Sequence, residues 1–171
     1  MKKVLMMMAF AAMFAFDTVA HAQSLEGNWQ AEKKMEDVAM NYILAFMGNE
    51  VTQSLVCTCE KEIGTVSVSF ALPAQSYTPG AKTINFTFDA SMVEVKLKGV
   101  IFNNATKDVI KERPSSEKYI MDLVLDDFKE QKEDVAIQFL FSGDCTIANQ
   151  TVQSFELKNA KGETYLFKKT K

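Results

Sequence analysis

Ser24-Leu25-Glu26-Gly27-Asn28-Trp29-Gln30-Ala31-Glu32-Lys33-Lys34, continued by MEDVAMNYILAFM over 35–47, is the stretch on which the fold turns. In its first half Leu25, Gly27, Trp29 and Ala31 share one side at period two. Glu26, Asn28, Gln30 and Glu32 share the other, the pattern of a half-buried strand. Over 35–47 the period changes. Met35, Val38, Ala39, Tyr42, Ile43, Phe46 and Met47 follow i, i+3, i+4, i+7, i+8, i+11, i+12, which predicts a short apolar-striped helix. Glu36 and Asp37 in its first turn suit the helix dipole, and Gly48-Asn49 supplies a stop.

Downstream the alternation is of strands. Leu55, Cys57 and Cys59 share a face, as do Val66, Val68 and Phe70. Ile84, Phe86 and Phe88 alternate with Asn85, Thr87 and Asp89, and Val93, Val95 and Leu97 with Glu94, Lys96 and Lys98. Gly99 marks a bend or bulge before 100–102. A weak strand is expected over 107–111. Residues 118–126 read as a strand through Met121, Leu123 and Leu125, or as a helix through Ile120, Leu123, Val124 and Phe128; the neighbouring strands favour the first. Val135, Ile137, Phe139 and Phe141 alternate again, and 151–158 and 163–169 close the chain. One strand, one short helix and eight to ten strands at roughly ten-residue spacing predict a mainly β protein, an up-and-down antiparallel β-barrel with the helix between its first two strands. Closure would remove exposed strand edges. An immunoglobulin-like sandwich is the rival.

Upstream, Lys2 and Lys3 precede an unbroken apolar run from Val4 to Phe16, and Ala20-His21-Ala22 is an A-x-A cleavage site. Residues 1–22 therefore read as a secretory signal peptide, and 23–171 as a single exported domain, periplasmic or secreted. The run is too short to span ~30 Å of hydrocarbon, so no transmembrane segment is expected. Cleavage takes two of the 19 basic and one of the 22 acidic residues, so the net charge falls from −3 to −4. It also takes the only histidine. Ser-His-Asp and Cys-His catalysis and His-ligated metal are then excluded. The acidic balance argues against nucleic acid. No enzyme activity, cofactor or metal is expected.

Gly27-Asn28-Trp29 on the first strand resembles the G-x-W signature of the lipocalins and the related fatty-acid-binding proteins, the calycin barrels. The helix after strand one resembles the fatty-acid-binding lid in position. Many small secreted bacterial proteins of unknown function share this outline. The resemblance implies a basic residue late in the last strand lying against the Trp. In Thr164-Tyr165-Leu166-Phe167-Lys168-Lys169 that role falls to Lys168, or to Lys169 beside it, in place of the usual Arg. It also implies a small hydrophobic ligand in the barrel. Phe86, Phe88, Val95, Leu97, Met121, Leu123, Phe139 and Phe141 are the expected cavity lining, unless they pack into a solid core. The filled-core alternative makes the protein an exported interaction or structural module.

Cys57, Cys59 and Cys145 are disulfide candidates in an exported chain. Either of the first two can pair with Cys145, closing a loop of nearly ninety residues worth roughly 4–5 kcal/mol in the chain-entropy picture. A three-thiolate metal site lacks a fourth soft ligand. Glu60 with Glu62, Asp126 with Asp127, and Arg113 before Pro114 read as solvated surface.

Overall fold

The computed structural model describes residues 24–170; the leader read over 1–22 lies outside the described residues. Ten strands form one antiparallel sheet: β1 (Gly27–Met35), β2 (Val38–Met47), β3 (Glu50–Lys61), β4 (Gly64–Ala71), β5 (Gln75–Ser76), β6 (Thr83–Phe86), β7 (Glu94–Phe102), β8 (Gly143–Ala148), β9 (Ser154–Lys158) and β10 (Thr164–Lys169). Their order is β6-β8-β9-β10-β1-β2-β3-β4-β7, with β5 added to β3. The sheet is therefore not closed into a barrel, because β6 and β7 are both edges. Three helices, α1 (Asn104–Glu112), α2 (Ser116–Glu130) and α3 (Lys132–Phe139), lie between β7 and β8. Helix α2 packs on β7, and α3 packs on the 3₁₀ turn Ala90–Met92 that follows β6. Helices thus cover the opening that a closed barrel would fill with strand pairing. None of the helices among the described residues is long and apolar enough to cross a membrane.

The expected helix over 35–47 is corrected to a strand. Trp29↔Leu44 and Ala31↔Tyr42 pair β1 with β2 around a two-residue turn at Glu36-Asp37, where Glu36 takes φ 49°. The helical stripe left out Met40 and Leu44, and both are buried. Met40, Tyr42, Leu44 and Phe46 form the real inward face at period two, and β1 and β3 give it a partner on each side. Gly48-Asn49 is a hairpin turn, not a helix stop.

The strands expected over 107–111, 118–126 and 134–141 are corrected to helices. In α2 the inward set is Met121, Val124, Leu125 and Phe128, at i, i+3, i+4 and i+7. Ala136 in α3 and Leu140 just after it are buried while Ile137 and Gln138 between them are both exposed, which period two cannot produce. Asn103 caps α1, its Oδ1 accepting from Thr106 N at 2.9 Å. The bulge expected near Gly99 is present: Ser67 pairs with Gly99 and Val68 with Leu97, leaving Lys98 as the extra residue.

The inward faces meet in one core. Trp29, Tyr42, Phe46, Phe70, Phe86, Phe155 and Phe167 are its largest buried side chains. Phe155 and Phe167 stack at 5.1 Å, and Trp29 meets Phe155 edge-on at 5.0 Å. Gly64 is essential to the β3–β4 turn. Its φ is 130°, and a Cβ there would lie 2.2 Å from Ile101 O on the neighbouring β7.

Candidate functional site

The concave side of the sheet is where a ligand-binding barrel keeps its cargo. Here that space holds Phe141. As α3 ends, the chain turns inward at Leu140-Phe141, both buried. The Phe141 ring lies 5.4 Å from Tyr42, 5.0 Å from Tyr165, 5.9 Å from Phe86 and 6.0 Å from Phe167. It therefore touches side chains from β2, β6 and β10 at once. Its main chain is held by Gln53, which is 2% exposed on the inward face of β3. Gln53 Nε2 donates to Phe141 O at 2.9 Å, and Phe141 N donates to Gln53 Oε1 at 3.0 Å. A carboxamide thus stands in for a strand neighbour and satisfies two buried main-chain groups.

The eight residues expected to line a cavity fall in different places. Phe86 and Phe141 meet in the interior. Phe88, Val95, Leu97 and Phe139 are half-buried and pack against the core from its margin. Met121 is half-buried on α2, and Leu123 on the same helix is 52% exposed. Leu123 points to solvent because α2 turns Met121, Val124, Leu125 and Phe128 inward; the strand and the helix readings of 118–126 had both expected it inward. Tyr42, Tyr165 and Gln53 were not among the expected residues. Gln53 carries a readable signal: it is the polar member of the inward series Val51, Gln53, Leu55, Cys57.

Of the signature residues, Gly27 and Trp29 sit on β1 with the indole buried, its Nε1 donating to Leu25 O at 2.6 Å. The cation over the indole is Lys169, with Nζ 5.3 Å from the ring. The assignment to Lys168 is corrected by register: Lys169 pairs with Trp29, whereas Lys168 pairs with Gln30 and is exposed. Gly27, at φ 109°, leaves room for the Lys169 stem, whose Cε lies 3.1 Å from where a Cβ would be.

A second feature lies where β1 and β10 part. Their ladder consists of Trp29↔Lys169 and Gln30↔Lys168 and stops there. A cleft of about 550 Å³ runs along this seam and past its end, lined by 30–33 on β1 and by 163–166 and 168–170 opposite. At its far end Lys33 Nζ donates to Glu163 Oε1 at 2.8 Å. Tyr165 Oη and Asn159 Nδ2 donate to Glu163 Oε2 at 2.8 and 3.0 Å. These bonds, Lys33 first, hold the Glu163 carboxyl down at about 2. Burial, then the Glu163 hydrogen bond, pushes the Tyr165 hydroxyl up to about 12, and burial raises Tyr42.

The three cysteines are free thiols: Cys57 and Cys145 are buried and Cys59 is half-buried. Burial raises all three, Cys57 and Cys145 to about 11. At neutral pH these tyrosines and thiols are protonated, which leaves them poor nucleophiles. No group of three or more His, Cys, Asp or Glu side chains is gathered among the described residues.

Family models, curated proteins and solved structures give no match to this chain.

Proposed function

We propose that the chain is an exported, lipocalin-like module with a filled core, and that it acts as a non-enzymatic interaction or structural protein through its surface. The placement of Phe141 carries this reading. Its ring occupies the centre of the concave side, and Gln53 bonds both of its main-chain groups. Export rests on the leader read over 1–22 and is checked by N-terminal sequencing of the mature protein. A start at Gln23 in an extracytoplasmic fraction supports it; an intact Met1 in the cytoplasm overturns it.

Carriage of a small hydrophobic molecule inside the curled sheet is the second reading, favoured by the aromatic inner face. It requires the Leu140-Phe141 segment to swing out and break both Gln53 bonds. The two readings part on xenon binding followed by NMR, together with mass spectrometry of organic extracts. In a filled core the native protein gives no saturable xenon shift and no stoichiometric extractable molecule. Phe141→Ala, which leaves an apolar void, binds xenon. A stoichiometric apolar compound in extracts of the native protein overturns the filled-core reading.

A further inference from the structure

We propose that the cleft between β1 and β10 receives an extended, acidic segment of a partner polypeptide, which adds as a strand between them. This rests on the interaction-module reading and names the surface that does the interacting.

Main-chain geometry carries it. Thr170 N donates to Asn28 O at 2.9 Å, so Asn28 turns its main-chain groups toward the β10 side. Lys169 N donates to Gln153 O, so Lys169 turns away from β1. Along an antiparallel strand these directions alternate residue by residue. Glu32 on β1, and Leu166 and Thr164 on β10, therefore aim N–H and C=O groups into the cleft, past the end of the ladder at Gln30. Two rows of donors and acceptors facing each other are what an inserted strand pairs with on both of its edges.

The floor is apolar, with Ala31 and Tyr165 buried. The lining carries Lys33, Lys168 and Lys169 against Glu32 and Glu163, and Lys33 is neutralised by Glu163. The remaining lysines, Lys168 and Lys169, outnumber the remaining acid, Glu32, on a chain that is acidic as a whole. An incoming strand with small apolar residues facing Ala31 and Tyr165, and carboxylates facing Lys168, fits both faces.

The probe is an acetylated, amidated hexapeptide of alternating valine and glutamate, titrated into the protein while backbone amide exchange is read by NMR. Exchange at Glu32, Thr164 and Leu166 slows at least tenfold at saturation. A backbone N-methylated version of the peptide binds at least tenfold more weakly. The valine–lysine version binds at least threefold more weakly. Glu32→Pro removes a cleft-facing N–H and spares the β1–β2 ladder; it abolishes the protection, and Lys168→Glu weakens binding without touching the main chain. Absence of protection at these three amides at millimolar peptide overturns the proposal, as does protection confined to the free edges of β6 and β7. Protection that appears with protein concentration alone means that a second copy supplies the strand, and overturns the partner assignment. These readouts are independent of xenon entry, so failure here and failure of the filled-core reading are told apart.

Discussion

Gln53 grips Phe141 by both main-chain groups, at 2.9 and 3.0 Å, across 88 residues of sequence. The pair joins the strand half of the protein to the segment that leaves the helices. Gln53→Ala leaves a buried N–H and a buried C=O without partners, each costing about 1–3 kcal/mol. The expected loss is about 2–4 kcal/mol in urea unfolding, with the midpoint lowered and the slope unchanged. Gln53→Glu is worse at neutral pH, since a carboxylate then faces Phe141 O.

Gly64 is irreplaceable for a steric reason. An alanine there sets its Cβ 2.2 Å from Ile101 O at a φ of 130°. The obstacle is main chain, so no side-chain rotation relieves it, and strain of this kind costs about 1–3 kcal/mol before the clash is counted. Gly64→Ala is expected to lower stability by more than about 3 kcal/mol. Gly99→Ala, where nothing lies within 4 Å, is expected to change it by less than about 1 kcal/mol. Thermal and urea unfolding of the two variants make the comparison.

Glu163 links stability to pH. Its carboxyl falls from an ordinary 4.5 to about 2, chiefly through Lys33. A carboxyl depressed on folding stabilises above its unfolded value and loses that contribution as pH falls through its folded value. The window is therefore pH 4.5 down to about 2. The side chain is 46% exposed, so solvent screening limits the contribution to about 1 kcal/mol or less. Glu163→Gln should be less stable than the native protein at pH 7 by up to that amount. The gap should close across the window in urea titrations at stepped pH.

The thiols make a counting prediction. A rise to about 11 in Cys57 and Cys145 from an ordinary 9 leaves about 100-fold less thiolate near pH 8. In the folded protein Cys59 should react first with a disulfide reagent, and the other two far more slowly. In denaturant without reductant three thiols per chain should react. A count of one would mean that a disulfide forms between two of the three cysteines.

Where a strand had one face toward the core and one toward water, period two was readable: Trp29 and Ala31 in β1, Val66, Val68 and Phe70 in β4, and Phe155 and Leu157 in β9 are buried as their spacing implies. The Gly99 bulge was readable too, because a glycine broke the alternation. Residues 38–47 misled because Ile43, Ala45 and Met47 put apolar residues on the outer face, so the chain satisfied helical and strand periods together. The sequence 134–141 misled in the opposite sense: Val135, Ile137 and Phe139 alternate, yet the buried contacts belong to Ala136 and Leu140. Alanine, with its small side chain, gave period-two reading no warning. Of the interior, Phe86 and Phe141 were legible as aromatic inward positions. Gln53 was visible only as a polar intruder, since its partner lies 88 residues away. The cleft had no signature at all.

Local chemistry therefore determined which face of β1 and β4 is buried and where β1 turns its indole, because each of these depends on residues a few positions apart. Tertiary structure alone decided that the sheet stays open, that helices span the gap, that Phe141 fills the hollow and that β1 and β10 separate after Gln30. Those outcomes depend on which distant surfaces meet, and the free energy of such meetings is set by packing and main-chain pairing across the whole chain rather than by any local period.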